Sequence, residues 1–417
     1  VLLGARRTDE ALALLTSSSE ELADLHPDPG FLALEGQLAA VLSQTEQHRR
    51  AIEVSDRVLE AAEHADLPKI LAETLVTKGR ALGSLGRLRE AIGVLRAGEE
   101  LARALGWDSI VLRALISRGF HVGEIDARAA LEAYQDGLAL ARRLGQQFMV
   151  LAFANNVGFM SFLSGNWDEG VKVFDEALGS DLEPRDRVAL LGNYIVILAC
   201  RGEPVAELVR EMIELHADDT DAGQQSMVAD AQGHVAWTSG NLQEARTEWL
   251  RLGALAAVYI APATYQAARP AIWERDVATV RRDLEAIDAP GFHGAIVETR
   301  RTTLNAAIAA LEGRTGEAHE LYREAIRGWH ELGQPWDGAV TAVDMAHVLD
   351  PSDPEVQAAG AIARKILEGM GAVPIIERLD AALARGRSEA GQSHASSTEA
   401  AAPVEDRFAS TTGTTDA

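Results

Sequence analysis

One phrase recurs along this 417-residue chain and constrains its fold more than any other feature. Each copy is a turn followed by a small residue and, four positions later, a bulky one. Because positions i and i+4 share a helix face, the phrase predicts a helix that approaches its neighbour closely and fills the adjoining gap. The clear copies are Ala11/Leu15, Ala91/Leu95, Ala130/Tyr134, Gly170/Phe174, Ala245/Trp249 and Ala318/Tyr322, with weaker ones near Ala51, Glu207 and Ala278.

Glycine marks the turn before many copies. A helix that ends in a left-handed backbone favours glycine there, because a side chain would clash. A further glycine stands seven residues earlier in several units, as Gly79 does before Gly86. We expect close helix contact to offset its cost of about 1 kcal/mol in a helix interior. The glycines assigned this structural turn role are Gly86, Gly165, Gly202, Gly240 and Gly313.

The copies follow one another mostly at about 36 to 40 residues, and the fold class follows from that period. We predict an all-α fold, a right-handed α-solenoid of about nine antiparallel helix pairs with a C-terminal helical cap. Apolar residues make up 47% of the chain but aromatic ones only 5%, so Ala and Leu, both strong helix formers, dominate the core. A non-repetitive helical domain is the alternative, and nine phased copies disfavour it.

Three segments are predicted. Helical repeats occupy 1–350, with an irregular unit near 256–289, where Pro262 and Pro270 each remove a backbone hydrogen bond. Capping helices follow over 351–386, the first beginning near Pro354 and the second covering about 374–384. The tail 387–417 has few large apolar residues, which predicts disorder. Because Val1 is nearly in the helical pattern, we expect the chain to be the C-terminal piece of a longer protein.

No catalytic, cofactor or metal site is predicted. The sequence has no phosphate-binding GxxxxGK[ST] motif, and His319-Glu320 is followed by Arg323 where a zinc motif needs its second histidine. Cys200 lies in an apolar run and is interpreted as a core residue. The tryptophans are interpreted as core between the repeats: Trp107, Trp167, Trp237, Trp249, Trp273, Trp329 and Trp336.

Charge narrows the choice of partner. The net charge of −24 repels phosphate backbones and anionic lipid, so nucleic acid and membranes are excluded as expected partners. A single cysteine agrees with a reducing, cytoplasmic compartment.

The concave groove is the expected binding surface of a helical solenoid, because its first helices line it. Counting back from the turn glycines, we expect five residues to face a protein or peptide ligand there. The alternative is that these side chains satisfy local backbone groups. The candidates are Arg80, Asn155, Asn156, Asp230 and His234.

The small–bulky phrase and its glycines resemble tetratricopeptide repeats over roughly residues 1–349. The closing phrase ARKILEGMGAVPIIERLDAALAR resembles the end of the repeat region in bacterial adenylate/guanylate cyclase–ATPase signalling proteins, which are related to the maltose-regulator and large LuxR-type family. That resemblance implies a non-catalytic sensor or regulatory arm for an upstream NTPase or effector domain, in particular a class III cyclase. The alternatives are a free-standing adaptor for protein–protein interaction, or the repeat region of an ATP-dependent transcriptional regulator.

Overall fold

The computed structural model describes residues 8–217, 219–289, 291 and 293–385, and this part of the chain is helical without any β-strand. The tail predicted for 387–417 lies outside it, as does Val1. A 3-10 turn, Ala23–Leu25, follows the first α-helix. The α-helices are α1 (Thr8–Glu21), α2 (Pro29–Gln44), α3 (His48–His64), α4 (Pro68–Ser84), α5 (Leu88–Ala104), α6 (Asp108–Gly123), α7 (Ala127–Leu144), α8 (Gln147–Leu163), α9 (Trp167–Leu178), α10 (Pro184–Arg201), α11 (Ala206–His216), α12 (Ala222–Thr238), α13 (Leu242–Gly253), α14 (Ala257–Trp273), α15 (Val277–Asp288), α16 (Ala295–Leu311), α17 (Thr315–Glu331), α18 (Pro335–Val348), α19 (Pro354–Met370) and α20 (373–385).

Helices that follow one another in sequence pack against one another in space, from α1 to α19. Short loops connect them, so neighbouring helices run antiparallel. In the described part of the chain, α2 to α19 make nine pairs, each with an even-numbered first helix and an odd-numbered second helix. The first helices α2, α4 and α6 also contact one another, as do α14, α16 and α18. The predicted all-α solenoid is confirmed.

In several pairs a glycine of the first helix makes room for the bulky residue of its own second helix. A Cβ atom at Gly119 would lie 2.5 Å from the ring of Tyr134, and one at Gly233 would lie 2.6 Å from Trp249. A Cβ atom at Gly158 would likewise overlap Phe174. The bulky side chain therefore seals a pair internally, which gives a physical reason for the recurring phrase.

The turn between the two helices of a pair is left-handed. φ is +77° at Gly86, +78° at Gly165, +80° at Gly202, +93° at Gly240 and +78° at Gly313. Three residues other than glycine take the same conformation, among them Arg275 at +61°. Arg275 supplies the turn between α14 and α15, and Glu46 supplies the one between α2 and α3; neither turn has a glycine at this position. α14 is a single 17-residue helix despite containing Pro262 and Pro270.

The array curls until its last units contact its earlier ones. The backbone N–H of Ala127, at the start of α7, donates to the carbonyl of Leu332 before α18 at 2.9 Å. Arg378 of α20 donates to the carbonyl of Trp237 at the end of α12, 3.1 Å away. These contacts join residues 141 or more positions apart, so the solenoid is closed by its own C-terminal helices.

α18 lies at the centre of this curl. It packs on its sequence neighbours α17 and α19 and also on the first helices α8, α14 and α16. All its residues except Pro335 and His347 are buried. The segment from 351 had been expected to form a separate cap, and α19 does begin at Pro354. However, α19 packs on α18 as the second helix of a pair. Residue 350, the expected end of the repeats, therefore lies in the loop within that pair.

Candidate functional site

The first helices form one surface, and a depression in it covers three successive units. Gln37 of α2, Glu73, Thr74 and Thr77 of α4, and Arg113 of α6 are among its lining residues. No second helix contributes to this lining. We call this surface of α2, α4 and α6, together with the corresponding surface of the next first helix α8, the open groove.

The residue directly after the small mid-helix residue occupies the same place in each unit. In the open groove this residue is Arg80 on α4, Phe120 on α6 and Phe159 on α8. Arg80 is half-buried, whereas Phe120 is 57% exposed and Phe159 is 37% exposed. In later units the same place is covered, because α18 and the closing contacts lie over it. The covered residues are His234, Arg269 and Ala307.

Arg80 and Arg113 give the open groove a positive charge. They lie on α4 and α6, which contact each other, and neither makes an ion pair or side-chain hydrogen bond in the described part of the chain. Burial, and secondarily the charge of Arg113, lowers the pKa of Arg80. Burial and the same Arg80 lower the pKa of His121 to about 4, so His121 is neutral at pH 7. The two half-buried guanidinium groups thus make no ion pair, although Glu73 lines the same depression as Arg113.

Thr74 is a second unsatisfied group in the open groove. Its side chain is 1% exposed, and its Oγ1 atom has no hydrogen-bond partner. A buried hydroxyl without a partner costs about 1–3 kcal/mol relative to a paired one. Because the hydroxyl is enclosed by protein, this is a local cost within the fold and not a direct ligand contact.

The predicted pair Asn155 and Asn156 lies on α8, at the end of the open groove. Both residues are half-buried. Asn155 Oδ1 accepts a hydrogen bond from Asn193 Nδ2 of α10 at 3.0 Å, whereas Asn156 Nδ2 donates to the carbonyl of Ala152 at 2.8 Å. Asn155 is therefore part of a link between two first helices, and Asn156 satisfies its own backbone.

The predicted residues Asp230 and His234 lie in the covered part of the groove. His234 is 3% exposed and packs edge-on against Phe162 and Trp249. Its Nδ1 atom lies 2.9 Å from the carbonyl and 3.3 Å from the carboxylate of Asp230. Burial lowers the pKa of His234, but Asp230 outweighs it and the net shift is upward. His234 is a core residue of the closed array and is not accessible to a ligand there.

Aromatic side chains hold α18 in the covered part of the groove. Trp336, at the start of α18, lies 5.4 Å from Phe162, 5.0 Å from Trp167 and 6.3 Å from Trp237, measured between ring centroids. Trp237 stacks in turn on Trp273. Most tryptophans are therefore core residues, as predicted, and several of them join units that are distant in sequence.

An ion network fixes the middle of α18. Arg269, at the groove-facing position of α14, is 1% exposed and donates from Nη2 to Asp337 at 2.9 Å. Its Nε atom lies 3.7 Å from Asp344, which accepts from Trp273 Nε1 at 2.7 Å. Burial raises the pKa of Asp344 to about 7, although Arg269 and Trp273 counteract it. Asp344 therefore changes its charge near neutral pH, beside the ion pair of Arg269 with Asp337.

The turn glycines have partners in the closed array. Gly165 lies against Met370 and Pro335, and Gly202 lies against Pro374. A Cβ atom at Gly240 would lie 3.4 Å from Nη2 of Arg378. Three of the predicted turn positions are therefore also contact points for the C-terminal helices. The sequence carries no local sign of this second role.

Phe120, Phe159 and Arg113 belong to the open groove but had not been predicted as site residues. A signal for the phenylalanines exists in the sequence, since each directly follows a mid-helix glycine, as Arg80 does. However, a phenylalanine after a mid-helix glycine is equally typical of a core residue, so the sequence alone does not distinguish the two roles. For Arg113, six residues before such a glycine, no comparable signal exists.

Other chemistry is not apparent in the described residues. Cys200 is fully buried, and burial raises the pKa of its thiol. His319 contacts Asp353 and Glu355, but no group of three or more possible metal ligands occurs in this part of the chain. None of the described helices combines the length and apolar character needed to cross a bilayer.

Comparison with known proteins gives little more than the helical character. No family model matches the chain, and none of the curated proteins does. Among solved structures, yeast Tom70 is similar at a TM-score of 0.38 and 15% identity, over 94% of this chain and 86% of that one. A circular tandem repeat protein with novel repeat topology is similar at a TM-score of 0.27 and 15% identity, over 95% of this chain and 100% of that one. Neither similarity extends to the overall course of the chain.

Proposed function

We propose that this chain is a non-catalytic adaptor that binds a segment of a partner protein along its open groove. The observation that carries the proposal is the row of groove-facing residues on successive first helices, where Phe120 and Phe159 are exposed and Arg80 is unpaired. Exposed apolar side chains beside unsatisfied polar groups on a concave surface are typical of a binding site.

The open groove suits an extended or helical peptide segment. Its side chains project from helices that are held by packing on both sides, so the surface exists before the ligand arrives. Binding to a preformed surface loses less conformational entropy than binding to a mobile one. The fixed spacing of first helices then provides contact points at regular intervals along the ligand.

The regulatory-arm hypothesis is a narrower form of this proposal. It adds an upstream NTPase or cyclase domain of the same protein as the receiver of the signal, and it depends on the resemblance of the closing phrase alone. Residues of that phrase form the end of α19 and α20, where they pack against other units of the array. The general adaptor therefore stands first, and a cytoplasmic location belongs to the proposal in either form.

A peptide-display selection on the purified chain tests the adaptor function. Selected peptides are expected to lose binding when Phe120→Ser is introduced into the open groove. Leu250→Ser is the matched control, because Leu250 is a similarly exposed apolar residue on the second helix α13. The proposal is wrong if the selected peptides bind the Phe120 variant as well as they bind the original chain.

A further inference from the structure

We infer that the open groove selects an acidic segment, whose side-chain carboxylates bind Arg80 and Arg113 while its apolar side chains contact Phe120 and Phe159. This inference rests on the proposed function and names the chemical class of the partner. The rest of the chain makes it unexpected, because 63 acidic residues outnumber 39 basic ones and give a net charge of −24.

The two arginines of the open groove lack a carboxylate partner in the described part of the chain. Many arginines of the chain find a carboxylate, and Arg246 on the second helix α13, for example, binds Asp283 at 2.7 Å and 2.8 Å. Arg80 and Arg113 have no such partner among the described residues, although both are half-buried. Desolvating a guanidinium group without pairing it is unfavourable, so an anionic ligand recovers interaction energy at these two positions.

The open groove also contains an unpaired hydroxyl and two exposed phenylalanines. Thr74 Oγ1 is buried without a partner and lines the depression together with Arg113. Its hydroxyl is enclosed by protein, so direct contacts with a ligand fall to the charged and apolar groups that remain at the surface. Phe120 and Phe159, in the same register as Arg80, leave apolar surface exposed next to the charges. A ligand with both carboxylates and apolar side chains therefore matches the groove better than a small anion.

Spacing favours a peptide with separated carboxylates over a phosphate group. Arg80 and Arg113 belong to neighbouring first helices, whose axes lie about 8–10 Å apart when helices pack. Carboxylates two or three residues apart in an extended peptide are about 7–10 Å apart. Glu73 also lines the depression, so a ligand must place its carboxylates at the two arginines and away from this side chain.

Fluorescence anisotropy with a defined probe tests the inference. The probe is a fluorescein-labelled, end-blocked peptide of about ten residues in which glutamate alternates with leucine and serine, long enough to reach across three first helices. Its matched counterpart has glutamine at each glutamate. We expect the acidic probe to bind at least about tenfold more tightly at low salt, since charge-assisted hydrogen bonds are stronger than neutral ones.

Variants locate the binding. Arg80→Gln and Arg113→Gln are each expected to weaken the acidic probe about tenfold and to leave the glutamine probe unchanged. Arg96→Gln is the matched control, since Arg96 is exposed on the second helix α5, and it should leave both probes unchanged. Circular dichroism of each variant verifies that the helices are retained.

Three results overturn the inference: equal binding of both probes, no binding of either, or displacement of the acidic probe by millimolar inorganic phosphate at constant ionic strength. None of these contradicts the adaptor function. That function fails only if the peptides from the display selection bind without regard to the groove substitution at Phe120. The two tests therefore fail separately.

Discussion

At the residue scale, complementarity between one small and one bulky side chain stabilises each helix pair. Gly233 illustrates it, because its missing side chain is the space that Trp249 occupies. Glycine is less favourable than alanine in a helix interior. However, burying the indole of Trp249 stabilises the pair more than a methyl group at position 233 would. The position is therefore fixed by packing and not by backbone flexibility.

Gly233→Ala is expected to lower the free energy of unfolding by about 1–3 kcal/mol, because the new methyl group would overlap Trp249 in a close-packed core. The control is Gly93→Ala in the exposed part of α5, where a Cβ atom meets nothing within 4 Å. That substitution should stabilise the chain by about 0.5–1 kcal/mol through the higher helix propensity of alanine. Urea unfolding followed by circular dichroism measures both, and a stabilised Gly233 variant would contradict the packing argument.

Asp344 predicts a pH dependence with a definite sign. Its pKa is raised from 3.8 to about 7 in the folded chain, so between these values only the folded state holds the proton. Its contribution to stability is complete below about pH 4 and is lost as the pH rises through 7. Asp344→Asn keeps the neutral shape and should abolish this loss, on the order of 1 kcal/mol or more at pH 8.

The measurement is the difference in unfolding free energy between Asp344→Asn and the original chain at pH 5 and pH 8. Comparing the two proteins at each pH cancels the titration of groups away from the network. The variant should gain relative stability at pH 8. An unchanged difference between the two pH values would show that Asp344 stays ionised beside Arg269.

At the element scale, α18 has a role that its own repeat does not explain. It is the first helix of the ninth pair, and it also fills the groove of earlier units through Trp336 and Asp337. A helix buried on nearly all sides must carry its charges in pairs, which accounts for the contact of both its aspartates with Arg269. The groove of these later units is thus covered, so the binding that we propose is expected on α2–α8.

Trp336→Ala is expected to cost about 3–5 kcal/mol, the usual loss for a large buried aromatic side chain. Its effect should reach α8 and α12, because the indole contacts Phe162 and Trp237. Hydrogen exchange should therefore accelerate in those helices, which are far from residue 336 in sequence. Trp107→Ala is the control, since Trp107 is only partly buried and should have a smaller, local effect.

At the scale of the whole molecule, closure changes how the array unfolds. In an open solenoid each repeat contacts only its neighbours, and stability is close to a sum of unit and interface terms. Here α7 is bonded to the segment before α18, and α20 is bonded to the end of α12. These contacts couple units that an open array would leave independent.

Cooperative unfolding is the expected consequence. Native-state hydrogen exchange should give similar opening free energies for α7, α12 and α18, because separating the closing contacts exposes all three. Deleting the segment from 334 onward should lower the protection of α8 and α12. Graded, independent opening of these helices in the intact chain would show that the closing contacts contribute little.

The absence of catalysis is a property expected of the whole molecule. We expect the purified chain to hydrolyse no ATP and to form no cyclic nucleotide from ATP or GTP, since its described residues offer a binding surface and the sequence offers no phosphate-binding motif. A coupled phosphate assay and a cyclic-nucleotide assay measure this. Turnover above that of a heat-denatured sample would contradict the non-catalytic adaptor.

The sequence by itself determined the helices, their pairing and their turns. These features depend on residues within about forty positions, such as Gly233 with Trp249, and local spacing contains that information. The sequence also contains the shared register of Arg80, Phe120 and Phe159, because each directly follows a mid-helix glycine.

Only the tertiary structure decided which part of the groove is open. His234 shares the register of Arg80, yet it is buried while Arg80 remains accessible. The difference arises because small rotations between successive pairs of a solenoid add up, and over the five steps from the fourth pair to the ninth they bring α18 onto α8. No local pattern encodes such a sum, so the covering of His234 and the opposition of Arg269 to Asp337 emerge only when the whole array is assembled.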